Sequence, residues 1–255
     1  MLATERVGRV MVATLSRPPV NALDGQLIAR LEAALDEATA DPGISVLHIR
    51  SDHKIFCAGA DLALMRSCFD TPEGRDAMVE VVLRMQRLFM RLENAAVVTL
   101  AEIGGAAMGG GLELALACDL RVAAVDAKLG LPEVGLGLLP AAGGTQRLTR
   151  LCGHGTAKRL ILGAELIDGA EAMRLGLIQW TQPREHLALW CRELAARVAG
   201  MPRAALGAGK RCIAAVHDPA CDGFAAEIAA TRALYDDPEA RRKVSEFLTK
   251  SATRR

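Results

Sequence analysis

Residues 107–123 read AMGGGLELALACDLRVA, and this stretch decides the fold. The triple glycine Gly109-Gly110-Gly111 predicts a tight turn that opens a helix from Leu112 to about Ala117, and Leu120–Ala124 returns to a strand. Glycine has no Cβ, so the backbone N–H groups of such a turn are open to a ligand. A strand, a glycine-rich turn, a helix and a strand in this order are typical of an α/β protein whose loops hold the functional residues.

Two glutamates directly follow segments that bend the backbone. Glu113 follows the triple glycine, and Glu133 follows Leu-Gly-Leu-Pro at 129–132. Carboxylates set among glycine, alanine, leucine and proline indicate acid/base chemistry in a dry pocket. The alternative for each is an ordinary acidic residue in a first helical turn. A second apolar turn, FCAGAD at 56–61, lies upstream and also offers backbone N–H groups.

The rest of the chain continues the alternation and then changes character. Upstream, the patterns predict strands at 9–15, 46–49 and 97–101, a helix capped by Asp24 that ends near 41–43, and a helix over 73–93. After Pro183, four successive helices are predicted at 185–199, 202–215, 220–235 and 238–249. We therefore predict an α/β core at 1–197 and a C-terminal helical region at 198–255.

Composition excludes several classes of function. The 255 residues carry 31 basic and 30 acidic side chains, so no global positive field favours nucleic acid. Eight aromatic residues argue against a base-stacking surface, and no apolar stretch reaches membrane-spanning length. The N-terminus has no signal-peptide pattern, and seven scattered cysteines indicate reduced thiols in a cytoplasmic protein. No CxxC pair or histidine cluster indicates a metal, so no metal site and no role for the five histidines are predicted.

Five strings of the sequence resemble the crotonase, or enoyl-CoA hydratase/isomerase, superfamily. They occur in the family's order and with ordinary spacing over nearly the whole chain. The strings are SRPPVNALD (16–24), FCAGADL (56–62), AMGGGLELALACDLRVA (107–123), KLGLPEVGLGLLPAAGGTQRL (128–148) and GAEAMRLGLI (169–178).

The resemblance implies a spiral of ββα units, with C-terminal helices that assemble a homotrimer or a dimer of trimers. It implies an acyl-CoA thioester as substrate, with no separate cofactor beyond the coenzyme A that the substrate carries. It places the thioester oxygen between the backbone N–H groups of Ala58 and Gly110, which would stabilise enolate charge. It makes Glu113 the general base on water and Glu133 the proton donor to Cα, so that water adds from one side.

One departure from the family pattern lies near the two glutamates. Members commonly have Pro-Gly-Ala-Gly-Gly after the second glutamate, whereas this chain has Ala141 in place of the first of those glycines. In hydratases of the family, the N–H of that glycine contacts the water. Ala141 retains an N–H, so the contact survives if the φ angle there suits an L-residue and is compromised if φ must be positive.

The coenzyme A contacts are less specific. Lys54, and less favourably Arg17, is a candidate to pair with the pyrophosphate of coenzyme A. For each of the two, an ordinary solvated surface charge is at least as good an interpretation. Phe247 and Lys250 in the last helix are candidates to reach a neighbouring subunit's coenzyme A. The full predicted set for the acyl-CoA groove is Ala22, Lys54, Ala58, Gly59, Ala60, Asp61, Gly110 and Ala141.

The leading interpretation is an enoyl-CoA hydratase, a hydro-lyase that forms 3-hydroxyacyl-CoA from trans-2-enoyl-CoA. A double-bond isomerase needs only one well-placed acid/base, so the presence of both glutamates argues against it. An acyl-CoA dehydratase or a thioester hydrolase would use the same oxyanion hole. A non-catalytic acyl-CoA-binding protein is the alternative from another class. Acyl specificity depends on residues 62–85, the segment that is least like the family.

Overall fold

The structure is a computed structural model that describes residues 1–252 of the chain. Its strands are β1 (Leu2–Val7), β2 (Val10–Leu15), β3 (Val46–Ser51), β4 (Val98–Ile103), β5 (Ala107–Met108), β6 (Leu120–Ala124), β7 (Lys128–Gly130), β8 (Ile167–Asp168) and β9 (Trp180–Gln182). Its helices are α1 (Gly25–Ala40), α2 (Leu62–Cys68), α3 (Pro72–Glu93), α4 (Gly110–Leu116), α5 (Gly144–Leu162), α6 (Gly169–Arg174), α7 (Arg184–Ala199), α8 (Arg203–Ala215), α9 (Gly223–Asp236) and α10 (Pro238–Ala252), with a 3₁₀-helix at Pro132–Leu136.

The larger sheet is mostly parallel and forms the centre of the core. Its strand order is β1-β2-β3-β4-β6-β9, and only the β1–β2 hairpin at one edge is antiparallel. Parallel neighbours require crossover connections, and helices supply them between β2, β3, β4 and β6. All residues of β4 are buried, as expected for an inner strand covered on both faces.

A second, smaller sheet joins the two glycine-containing turns. It has the order β5-β7-β8, and isolated bridges connect Leu23 to Ala60 and Cys57 to Ala107. The N–H of Met108 donates to the Cys57 carbonyl at 3.0 Å, which fixes the FCAGAD turn against the strand that precedes the triple glycine. Segments separated by about fifty residues of sequence therefore meet at one place.

The predicted helices of the core are confirmed, with small shifts at their ends. The Asp24 side chain accepts a hydrogen bond from the Leu27 N–H at 2.8 Å and so caps α1, which ends before Asp41. The prediction for 73–93 corresponds to α3, and the helix after the triple glycine begins at Gly110. The sequence patterns did not predict α2, α5, α6 or β1. They also did not predict β5, β7, β8 and β9, which span only two or three residues each.

The four C-terminal helices are also confirmed, and their burial against the core decreases from α7 to α9. Helix α7 packs on the sheet through Leu187, Cys191 and Leu194. Helix α8 is anchored by the Lys210–Asp119 ion pair at 2.8 Å, whereas no residue of α9 is buried. The mixed α/β fold is as predicted, and the exact division at residue 197 stays a prediction.

Two further observations bear on the sequence predictions. No helix among residues 1–252 combines the length and apolar character needed to span a bilayer. All seven cysteines lie in the described part of the chain and are free thiols. The cytoplasmic location inferred from them stays a prediction.

Candidate active site

The FCAGAD turn and the triple glycine face each other through bare backbone. Gly59 has φ of +90°, and a β-carbon added there would lie 2.9 Å from the Gly110 nitrogen. A β-carbon added at Gly110 would lie 3.5 Å from the Ala60 nitrogen. Glycine at both positions therefore leaves a gap between the turns into which an acyl group can approach the main chain.

The backbone N–H groups beside this gap differ in their hydrogen bonding. The N–H of Ala58 donates to the Val20 carbonyl at 3.0 Å, so it is already engaged within the protein. Within the described residues, the N–H groups of Ala60 and Gly110 have no acceptor. The sequence analysis named Ala58 and Gly110 as the two donors; the hydrogen bonding favours Ala60 in place of Ala58.

Glu113 lies in the first turn of α4 and is buried, with 2% of its surface exposed. Its Oε1 accepts a hydrogen bond from the Gly144 N–H at 2.7 Å, and Gly144 is required there because a β-carbon would lie 2.9 Å from that oxygen. The pKa of Glu113 is raised to about 7, chiefly by burial and in part by the charge of Glu133, against the lowering effect of the N–H groups of Gly144 and Ala142. Glu113 is therefore able to exchange a proton near neutral pH.

Glu133 follows Pro132 in the 3₁₀-helix and is half-buried. A β-carbon added at Gly109 would lie 2.6 Å from Glu133 Oε1, which places this carboxyl group directly against the triple glycine. Its Oε2 is buried and has no hydrogen-bond partner among the described residues. Burial raises the pKa of Glu133 as well. Two carboxyl groups with raised pKa values thus lie beside one turn and influence each other's charge.

The loop after Glu133 holds the position at which this chain departs from the family pattern. The non-glycine residues with positive φ in the described part of the chain are Asn21 and Ala164, so the φ angle of Ala141 suits an L-residue. The Ala141 carbonyl accepts a hydrogen bond from Gln86 Nε2 at 2.5 Å, and its N–H has no acceptor among residues 1–252. The substitution of alanine for glycine therefore leaves this N–H in place without backbone strain.

Two residues that the sequence analysis did not select stabilise this loop. Gln86 of α3 binds Ala141, and the buried guanidinium of Arg147 donates to the Ala142 carbonyl at 3.0 Å and pairs with Glu93 at 2.9 Å. Arg147 belongs to the quoted GGTQRL string, but a single sequence does not show that its side chain folds back over the loop. Gln86 belongs to the segment that is least like the family, and nothing in its local sequence indicates a role in the site.

The predicted coenzyme A residues lie around the same turns. Ala22 is buried, and Arg17 is held by Asp24 at 3.0 Å and Asp61 at 2.9 Å, so its charge is already neutralised by two carboxylates. The side chain of Lys54 is exposed just before the FCAGAD turn. Phe247 and Lys250 are exposed on α10. Of the two cations considered for the pyrophosphate, Lys54 is therefore the better placed.

Comparison with known proteins decides the family. The model of the enoyl-CoA hydratase/isomerase family matches residues 5–253. The chain belongs to this family. The resemblance to the crotonase superfamily is thus confirmed.

Individual members of the enoyl-CoA hydratase/isomerase family agree with this assignment. A short-chain-enoyl-CoA hydratase of Clostridium acetobutylicum is 36% identical over 211 residues, which cover 82% of this chain and 79% of that protein. A probable enoyl-CoA hydratase of Bacillus subtilis is 43% identical over 169 residues, or 66% of this chain and 64% of that protein. The crystal structure of an enoyl-CoA hydratase from Geobacillus kaustophilus is similar with a TM-score of 0.92 at 32% identity, and covers 98% of this chain and 94% of that one.

Proposed function

We propose that the protein is an enoyl-CoA hydratase that adds water to trans-2-enoyl-CoA and forms 3-hydroxyacyl-CoA. The observation that carries the proposal is the juxtaposition of two unengaged backbone N–H groups with two carboxyl groups of raised pKa, the buried Glu113 and the half-buried Glu133. Membership of the family supports an acyl-CoA thioester as the substrate.

The backbone N–H groups of Ala60 and Gly110 are proposed to bind the thioester oxygen. When water adds to Cβ, the electrons of the double bond move onto this oxygen as an enolate. Two fixed dipoles in a cleft with little water stabilise that charge without reorganisation, and loss of one such donor costs about 3–4 kcal/mol. This assignment replaces the Ala58 N–H by that of Ala60 and keeps Gly110.

The two carboxyl groups are proposed to move the protons. Ionised Glu113, which already accepts a hydrogen bond from Gly144, takes a proton from water as the water oxygen bonds to Cβ. Protonated Glu133, which lacks a donor to stabilise its charge on Oε2, gives its proton to Cα as the enolate collapses. The protein has then accepted one proton and released one, and both parts of water arrive from the same side.

The remaining groups are proposed to position water and substrate. The Ala141 N–H contacts the water beside Glu113, and Lys54 binds the pyrophosphate of coenzyme A, whose groove includes Ala22, Gly59 and Asp61. Val79, Leu83 and Gln86 share one face of α3 by helical spacing, and Gln86 contacts the site. Because Val79 and Leu83 are apolar and exposed, we expect an aliphatic acyl chain rather than one with a terminal charge.

Incubation with crotonyl-CoA tests the proposed reaction. The absorbance of the conjugated enoyl thioester is expected to fall as 3-hydroxybutyryl-CoA accumulates, and an enoyl-CoA that ends in a carboxylate is expected to react more slowly. Release of free coenzyme A would instead identify a thioester hydrolase. A shift of the double bond without uptake of water would identify an isomerase, and binding without any turnover would identify an acyl-CoA-binding protein.

The pH dependence of kcat/KM is expected to be bell-shaped, because the state with one proton on the glutamate pair is active. At low pH both carboxyl groups are protonated and Glu113 cannot accept a proton. At high pH both are ionised and Glu133 cannot donate one. The pKa of Glu113 is raised to about 7, mainly by burial, so the acid limb, on which Glu113 gains a proton, is expected near this value. The alkaline limb follows the ionisation of Glu133, whose pKa is also raised by burial. In Glu133→Gln the alkaline limb should disappear, and its persistence would assign it to another group.

A homotrimer or a dimer of trimers is proposed from the exposed apolar side chains in and directly after the last three helices. They include Ile213, Val216, Phe224, Ile228, Tyr235, Val244, Phe247 and Leu248. An apolar patch of this kind is typical of a protein–protein interface. Light scattering is expected to give the mass of at least three chains, and Phe224→Asp with Ile228→Asp should reduce it. Arg30→Asp, at an exposed position of α1, is the control. A monomeric parent protein would contradict the proposal.

A further inference from the structure

A cavity of about 510 Å³ lies apart from the glutamate pair, between α7 and strands β1 to β4 of the larger sheet. None of the residues assigned above to the acyl-CoA site lines it. Its wall on α7 includes small side chains such as Ala188 and Ala195 together with Arg192, and His48 and Glu102 also line it. The proposed hydration reaction uses neither of these polar residues.

His48 and Glu102 point to the same face of the sheet. His48 on β3 pairs with Leu100 on β4, and Glu102 lies two residues further along β4, so the alternation of side chains brings both to one side. Their side chains are only 5% and 7% exposed, and His48 Nε2 lies 2.9 Å from Glu102 Oε2. Among residues 1–252, neither atom has a hydrogen-bond partner, because the two are close but not aligned for a hydrogen bond. Buried polar atoms are normally paired, so this pair requires an explanation.

Cys191 of α7 is the third member of the cluster. Its thiol belongs to α7, is fully buried, and lies with the ligand atoms of His48 and Glu102 in a group whose members are all within 4.8 Å of one another. An imidazole nitrogen, a carboxylate oxygen and a cysteine sulfur are the ligand types of zinc sites in proteins. The sequence analysis predicted no metal because these three residues are far apart in sequence and belong to no spacing motif.

We propose that His48, Glu102 and Cys191 bind one divalent cation of the zinc class. Zinc bonds of roughly 2.0–2.3 Å in a tetrahedral arrangement separate neighbouring ligand atoms by about 3.3–3.8 Å, so a small adjustment of these side chains is sufficient. The ion displaces the thiol proton of Cys191 into solvent, and a dication with one thiolate, one carboxylate and one neutral imidazole is then uncharged.

The surroundings of the cluster fit this assignment. His48 and Glu102 both line the cavity, which would supply a route of entry for the ion and room for a water ligand. Arg50 Nε lies 3.8 Å from Glu102 Oε1, the carboxylate oxygen that does not face His48, so its charge approaches the carboxylate from outside the ligand set without a hydrogen bond. The competing explanation is a metal-free His48–Glu102 contact that becomes an ordinary hydrogen bond after a small rotation.

Titration of the metal-free full-length protein with Co²⁺ distinguishes these explanations, since the thiolate–cobalt charge-transfer band reports Cys191 directly. One equivalent is expected to produce this band together with the visible bands of a four-coordinate site, and Zn²⁺ is expected to abolish both. In Cys191→Ser the charge-transfer band should disappear, and in His48→Ala the affinity should fall at least about 100-fold, the upper range for losing even an outer partner. Cys118→Ser, which removes another buried thiol, is the matched control and should bind normally.

The same titration contains the result that would overturn the proposal. A wild-type protein that binds no Co²⁺, or a charge-transfer band that survives in Cys191→Ser, contradicts it regardless of how any variant folds. Turnover of crotonyl-CoA serves as the folding control for each variant, because none of the three residues takes part in the proposed hydration. Failure of the metal site therefore leaves the proposed reaction intact, and the converse also holds.

Discussion

Replacing Glu133 by glutamine is expected to lower kcat for the hydration of crotonyl-CoA by about 10²- to 10⁴-fold, the usual contribution of one general acid. Glutamine keeps the shape of the side chain beside Gly109 but has no acidic proton to give to Cα. The affinity for crotonyl-CoA should change little, because the proton moves only in the transition state. Steady-state kinetics and calorimetric titration with a saturated acyl-CoA measure the two quantities separately.

Glu185→Gln is the matched control for this variant. Glu185 is an exposed glutamate in the first turn of α7, and its replacement makes the same chemical change at a position far from the proposed chemistry. It should retain full kcat. If Glu133→Gln also retained full kcat, Glu133 would not be the proton donor, and an isomerase-like site with a single acid/base residue would be favoured.

Replacing Gly110 by alanine is expected to lower kcat/KM by about 10²- to 10³-fold, which is the effect of losing one oxyanion donor. The added methyl group would lie 2.8 Å from Met85 Cε and 3.5 Å from the Ala60 nitrogen, in the gap between the two turns. It therefore keeps the thioester oxygen away from the backbone N–H groups. The flexible end of Met85 can shift, so the protein should still fold, which circular dichroism verifies.

Gly25→Ala provides the control for the glycine substitution. Gly25 begins α1 and has an ordinary φ angle, and a β-carbon added there would have no neighbouring atom within 4 Å. Its replacement should leave kcat/KM unchanged. Equal activity of Gly110→Ala and the parent protein would mean that the acyl group does not approach the main chain at this turn.

The sequence predicted those parts of the fold that have a clear period or a cap. Asp24 with leucines at helical spacing located α1, and the four C-terminal helices were separated by prolines. The strands β5, β7 and β8 were not predicted, because two or three residues are too few to show an alternation of apolar and polar side chains. Such short strands are defined only by their pairing with other strands. Helix α2 lies in the segment that is least like the family.

The candidate site was predictable in its residues but not in its hydrogen bonding. Glu113, Glu133 and the two glycine-containing turns stood out from their local sequence, and the fold brings them together. The choice between Ala58 and Ala60 depends on which N–H is engaged by Val20, a contact between segments that a single sequence does not reveal. The cluster of His48, Glu102 and Cys191 arises in the same way, from two strands and a distant helix.

A crystal structure with bound butyryl-CoA, the saturated analogue of crotonyl-CoA, tests the central claim most directly. We expect the thioester oxygen at about 3 Å from the nitrogens of Ala60 and Gly110, with Cα beside Glu133 and Cβ beside Glu113. A thioester oxygen bound elsewhere, or an acyl chain directed away from both glutamates, would contradict the proposed mechanism.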